Sequence, residues 1–133
     1  EEDQVLFASD TVMPVPVFPD GDIKQLMKSL EVIRDMSSEL TNLVQGHGPV
    51  ILRGEVMSYV EEKIQYLTKI DKDVRGVLKR KASKNTLKKF DLESVGIDRA
   101  TLGGLAEQLH FTNLETLYDR LKRYVKPYPS LRD

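Results

Sequence analysis

From Asp22 to Val44 the apolar residues Ile23, Leu26, Met27, Leu30, Ile33, Met36, Leu40, Leu43 and Val44 recur at spacings of three and four, the period of an amphipathic helix. Asp20 or Asp22 can accept from the free amides of the first turn. Gly46-His47-Gly48-Pro49 ends the element, because glycine takes left-handed backbone and proline cannot continue a helix. A second stretch from about Gly54 to Leu78 carries Val56, Val60, Ile64, Leu67, Ile70, Val74 and Leu78 on one face, with Gly76 as its weak point. The short Gly-Pro connection predicts that the two fold back as an antiparallel hairpin, with Val50-Ile51-Leu52 extending the second helix or plugging the hairpin's end. A heptad-like seam of Leu26, Leu30, Ile33, Leu40 and Val44, broken at Ser37, leaves self-association through residues 23–44 open, with packing inside a bundle preferred.

The last third predicts shorter helices. Thr86-Leu87-Lys88-Lys89-Phe90 follows an Asn85 cap, and Leu92 to Ile97 forms a hydrophobic turn. Asp98 caps a helix with Leu102, Leu105, Ala106 and Leu109. Thr112-Asn113-Leu114-Glu115 reads as a capping box opening a final helix with Leu114, Leu117, Tyr118, Leu121 and Val125 inward, stopped at Pro127. With no long alternating run, the fold class expected is all-α: a long antiparallel helical hairpin packed with a C-terminal cluster of shorter helices, a single helical-bundle domain over residues 21–133. Residues 1–20 read as an extended arm, because Pro14, Pro16 and Pro19 forbid a helix. That arm either packs Val15, Val17 or Phe18 on the domain or offers them to a partner.

Composition narrows the function classes. The chain has 133 residues, 20 basic against 21 acidic, and no cysteine. One domain is the default at this length, and no global charge pulls toward nucleic acid or anionic membrane. Disulfides and thiolate metal sites are excluded. The composition fits an intracellular chain, cytoplasmic or nuclear, with no membrane segment.

Candidate chemistry is sparse. His47 and His110 lie far apart and match no HExxH spacing. His47 reads as a turn residue between glycines and His110 as a helix-end residue. Glu61 and Glu62 diverge by about 100° on a helix and read as a solvated face. No Walker-type or GxGxxG loop occurs, so no catalytic, cofactor or metal residues are assigned and the expectation is a non-enzyme without cofactor. The clearest charge asymmetry is Lys79, Arg80, Lys81, Lys84, Lys88 and Lys89, with a second basic group of Arg120, Lys122, Arg123 and Lys126. The first is a solvated linker, a nuclear-import-like or phosphate-binding patch, or a regulated loop, since Arg80-Lys81-Ala82-Ser83 resembles a basophilic-kinase site. Phosphate on Ser83 would place about -1.5 to -2 charges among those cations.

Three local resemblances bear on the carboxyl-terminal third. Leu92-Glu93-Ser94-Val95-Gly96-Ile97, with Leu102 to Leu109 and Phe111 to Leu117, resembles a helix-hairpin-helix repeat, whose glycine turn offers amides to a DNA phosphate; here Asp98 stands at the second glycine. Asp91 to Ile97 is similar to the turn before the last helix of sterile-alpha-motif domains, which implies an interaction module. Leu105-Ala106-Glu107-Gln108-Leu109 with Leu117-Tyr118-Asp119-Arg120-Leu121 looks like a helix-turn-helix with a longer turn.

The function expected from the residues is a non-catalytic protein-interaction or scaffolding domain of an intracellular regulatory protein, binding a partner peptide or helix through a helical-bundle surface. Val15, Val17, Phe18, Tyr124 and Tyr128 are candidate contacts, with Tyr59 and Tyr66 behind them. The alternative is a nucleic-acid-binding domain that uses the basic 79–89 segment and the C-terminal helices.

Overall fold

A computed structural model describes residues 4–18, 22–98 and 101–123. The chain opens with strand β1 (Val5–Ser9), crosses through helix α1 (Ile23–Met36), and returns as β2 (Asn42–Gln45), which runs parallel to β1. A turn leads to the short β3 (Ile51–Leu52), antiparallel to β2, so the sheet order is β1-β2-β3. The long α2 (Val56–Lys79) follows. Among the described residues three short 3-10 segments (Ser37–Glu39, Lys84–Lys89 and Glu93–Val95) and a turn at Thr101–Gly104, left-handed at Leu102 and Gly103, flank or join the longer elements, and α3 (Leu105–Lys122) closes the described chain. Among the described residues no helix is long and apolar enough to cross a membrane.

The all-α hairpin expected from periodicity is overturned. The chain is mostly helical, but a β-α-β unit and a third strand stand where the first helix was expected to run on. Asp22 does cap α1, accepting from the Gln25 amide at 3.0 Å. The helix stops at Met36, not Val44, and Ser37 closes it by donating its hydroxyl to the Arg34 carbonyl at 2.7 Å. Thr41 and Asn42 are poor helix formers, and Leu43 and Gln45 are buried while Asn42 and Val44 are half-buried, an alternation of period two. Two strands and a turn therefore separate α1 from α2. Val50-Ile51-Leu52 neither extends a helix nor plugs a hairpin, because Ile51 and Leu52 pair with β2.

The second helix lies where its stripe predicts. Its buried residues include Val56, Val60, Ile64, Leu67, Ile70 and Val74, and they meet Ile23, Met27, Leu30 and Ile33 of α1 in one core cluster. Each such aliphatic side chain contributes about 1.5–3 kcal/mol on full burial. The capping box expected at Thr112 is not used. Residues 105–122 form one helix, and Thr112 donates back to the Gln108 carbonyl at 2.9 Å. This continuity also removes the helix-turn-helix likeness, since His110, Asn113 and Leu114 carry the buried stripe across the supposed turn. Asp98 is followed by residues outside the described ones.

The expected arm is partly a strand and partly core. Val12, Met13, Val15 and Phe18 are buried, as are Pro14 and Pro16. Pro14 and Pro16 bring no N–H, so at these two buried positions only the carbonyls need partners. The helices supply the donors: Lys63 Nζ reaches the Pro14 carbonyl at 3.0 Å and Asn113 Nδ2 the Pro16 carbonyl at 2.6 Å.

The helices cover one face of the sheet. Leu43 and Ile51 point into the core with the partly buried Leu6, whereas Val5, Phe7, Val50 and Leu52 are exposed, Phe7 at 76%. The outer face therefore exposes these apolar side chains, with the half-buried Asn42 and Val44 between them.

Candidate functional site

Beyond their carboxyl ends, β1 and β2 each deliver one chemistry-bearing side chain. β1 ends in a bulge: Phe7 pairs with Val44 and Ser9 with Gln45, leaving Ala8 as the extra residue. Ser9 takes φ +50, a left-handed backbone that is costly for serine. A bulge of this kind re-aims the chain, and here it turns Asp10 toward the loop after β2. That turn is closed by Thr11 N–H on the Ala8 carbonyl at 3.1 Å and Val12 N–H on the Ser9 carbonyl at 3.4 Å.

On the neighbouring strand, Gln45 leads into Gly46-His47-Gly48. Gly46 donates to the Val12 carbonyl at 3.1 Å, which ties the two loops together. A β-carbon at Gly46 would press on the Asp10 carboxylate and lie 2.9 Å from the Ser9 carbonyl, so the close approach requires glycine. Gly48 has φ +111, and a β-carbon there would meet the Gln45 amide at 2.9 Å. Gln45 itself is fixed, accepting from the Tyr59 hydroxyl at 2.7 Å and donating to the Pro49 carbonyl at 2.8 Å.

The outcome is that His47 Nε2 faces Asp10 Oδ1 across 3.8 Å, with both side chains open to solvent at 64% and 71%. That distance is beyond hydrogen-bond length and is an ion-pair distance when the imidazole is charged. Two donors that share one divalent ion at about 2.0–2.2 Å each lie at most about 4 Å apart, and imidazole nitrogen with carboxylate oxygen suits zinc and similar ions. Among the described residues no group of three or more potential metal ligands gathers. Beside Asp10 an open cleft of about 480 Å³ is lined by Ser9, Asp10, Thr11, Val17, Phe18 and Ser29, among others. The carboxyl ends of parallel strands are where open α/β sheets hold their ligands.

The residues singled out from sequence lie elsewhere. Val15 and Phe18 are buried and closed to a partner, Val17 is half-buried on the cleft, and Tyr124 and Tyr128 fall outside the described residues, as does Lys126. Tyr66 is buried and Tyr59 half-buried. Lys79, Arg80, Lys81, Lys84, Lys88 and Lys89 are exposed, as are Lys122 and Arg123, while Arg120 is half-buried. The two basic groups meet at Tyr118, whose ring has Lys84 Nζ at 6.0 Å and Lys122 Nζ at 5.6 Å. Lys84 is also bound to Asp119 at 2.8 Å, which raises its pKa. Ser83 is exposed at the head of residues 84–89. Glu61 meets Arg34 at 3.2 Å and Glu62 is exposed. His110 is not a helix-end residue: it is fully buried in mid-α3. His47 is a turn residue as expected, and Asp10 comes to lie opposite it through the parallel pairing of β1 with β2.

A second cavity of about 380 Å³ lies between α2 and residues 94–97. Its lysines are committed, Lys63 to the Pro14 carbonyl and Lys69 to Asp73 at 2.9 Å. Comparison of the sequence with models of known protein families gives no match, and comparison with curated protein sequences gives none either.

Proposed function

We propose that the Asp10–His47 corner is half of a divalent-metal site at the edge of the cleft beside Asp10. The observation that carries this is the 3.8 Å juxtaposition itself, held by a strained Ser9 and by a Gly46 with no room for a side chain. Backbone strain and obligatory close approach are features of sites whose geometry matters more than local stability. A divalent ion in such a position lowers the pKa of water and polarises a substrate oxygen. Asp10 and His47 would hold the ion.

The test uses a paramagnetic ion, because two donors bind weakly. Titration of the ¹⁵N-labelled chain with Mn²⁺ is expected to broaden amides around residues 9–12 and 45–48 first, and D10N or H47N should remove that broadening. Broadening spread evenly over other carboxylates, or unchanged in both variants, would refute the site.

A second reading, protein interaction or scaffolding, is favoured by a different observation. It is the bare apolar outer face of the sheet, in place of the helical-bundle surface expected from sequence. The nucleic-acid reading has less support, because Lys84, where the two basic groups meet, is spent on Asp119.

A further inference from the structure

The chain holds two Arg-x-x-Ser tetrads, Arg34 to Ser37 and Arg80 to Ser83, and the structure separates them. Ser37 is 7% exposed, and its hydroxyl is spent on the Arg34 carbonyl at 2.7 Å. Ser83 is exposed, its backbone is extended at φ -72 and ψ 159, and its hydroxyl makes no capping bond. Lys79, Arg80 and Lys81 stand exposed just upstream of it. They follow the end of α2 in a tight turn, with Lys81 N–H on the Leu78 carbonyl at 3.0 Å and Ala82 N–H on the Val77 carbonyl at 3.1 Å. Lys81 holds φ +55 there, a left-handed backbone that is costly for lysine. Drawing residues 80–83 out as a strand gives up those two bonds but relieves that strain, and exposed element ends open more readily than a core.

We infer that Ser83 is the phosphoacceptor of a basophilic serine kinase, and that the phosphate it receives draws Lys84 away from Asp119. Carboxylates of such an enzyme meet Arg80 and Lys81 while the Ser83 hydroxyl reaches ATP. Oγ attacks the γ-phosphorus, the bond from that phosphorus to the bridging oxygen breaks, ADP leaves, and the hydroxyl proton passes to a base of the kinase. The product carries about -1.5 to -2 charges beside Lys84. Lys84 Nζ is held by both Asp119 carboxylate oxygens, at 2.9 and 2.8 Å. That pair is open to water, with side chains 42% and 49% exposed, so its attraction is screened and a neighbouring dianion competes with a single carboxylate. Leu87, 1% exposed, keeps the 84–89 segment seated in the core. The switch is therefore local: the link from Lys84 to α3 is released while the fold stays intact. It is independent of the Asp10–His47 corner.

The test treats the folded full chain with the catalytic subunit of a cyclic-AMP-dependent kinase and MgATP, and maps the product by mass spectrometry. One phosphate is expected on Ser83, with none on Ser37 and none in S83A. R80A should slow the reaction by at least about 10-fold, the loss of one charge-assisted bond to the enzyme. A folded chain that takes no phosphate while the heat-unfolded chain does, or one that takes it on another residue, overturns Ser83 as acceptor. The second half is read from the carboxyl ¹³C signal of Asp119. In the phosphorylated chain it should move to the position it holds in unphosphorylated K84Q, where the ion pair is absent. A signal that stays at the parent position with Ser83 fully phosphorylated overturns the transfer of Lys84.

Discussion

The Tyr66 hydroxyl lies 2.9 Å from His110 Nδ1 in the middle of the core. His110 Nε2 lies 2.6 Å from the Phe90 carbonyl, which can only accept, so Nε2 carries the proton and Nδ1 takes the hydrogen of Tyr66. Asn113 Nδ2 donates to the same tyrosine oxygen at 3.2 Å and to the Pro16 carbonyl at 2.6 Å. One network thus joins α2, α3, the Phe90 turn and the proline segment, and each member has one assigned hydrogen direction.

A neutral imidazole is required by that arrangement. Burial pushes the pKa of His110 below its ordinary value, with the Phe90 carbonyl offsetting part of the effect, and burial raises that of Tyr66. As pH falls through about 6.5 the unfolded chain takes up the proton first. The stability contributed by neutral His110 is therefore complete above about pH 6.5 and declines as pH drops below it toward the lower folded value. Urea midpoints of the parent should fall between about pH 7.5 and pH 5.5, and H110Q, which keeps a donor for Phe90 without titrating, should show a flatter profile. Equal slopes in parent and variant would remove His110 as the cause.

The proline segment gives a mutational test of how the amino-terminal region is held. N113L leaves the Pro16 carbonyl buried without a donor, and K63M does the same to Pro14. Each should cost about 1–3 kcal/mol in urea unfolding. Because both donors hold the same short segment, the double variant should cost less than the sum. Strict additivity would mean that the two contacts are independent and that the segment is not released as a unit.

These contacts mark how far the fold was legible. α2 could be read because its apolar positions keep one face for its whole length, with most of its charged residues on the other although Lys63 and Asp71 are buried. The end of α1 could not, because Leu40, Leu43 and Val44 satisfy a helical spacing while the backbone beneath them turns to strand. β1 was hidden for a related reason: Val5 and Phe7, on the bare face, are as apolar as Leu6 and Ala8 on the inner one, so no alternation shows. Asp10 and His47 come together only through the parallel pairing of β1 with β2, a long-range fact with no local signature. The trace that was available is that each sits just past a strand-like apolar run, one after Ala8-Ser9 and the other between glycines.

The Asp10–His47 corner yields a steric prediction that separates crowding from backbone conformation. G46A drives a methyl group against the Ser9 carbonyl and the Asp10 carboxylate, and backbone is a poor partner for relaxation. The expected cost is about 1–3 kcal/mol, the range for overpacking, together with loss of Mn²⁺ broadening at residues 9–12. G96A is the control: its φ of +79 is also left-handed, but a β-carbon there meets nothing within 4 Å. It should cost about 1–2 kcal/mol through conformation alone and leave the corner's response to Mn²⁺ intact. S9G works in the opposite sense, since glycine adopts the φ of +50 without penalty. It should raise stability by up to about 1 kcal/mol while loosening Asp10, so that broadening weakens although the fold is firmer. If G46A and G96A affected Mn²⁺ broadening equally, the tight approach at Gly46 would have no part in positioning the two donors.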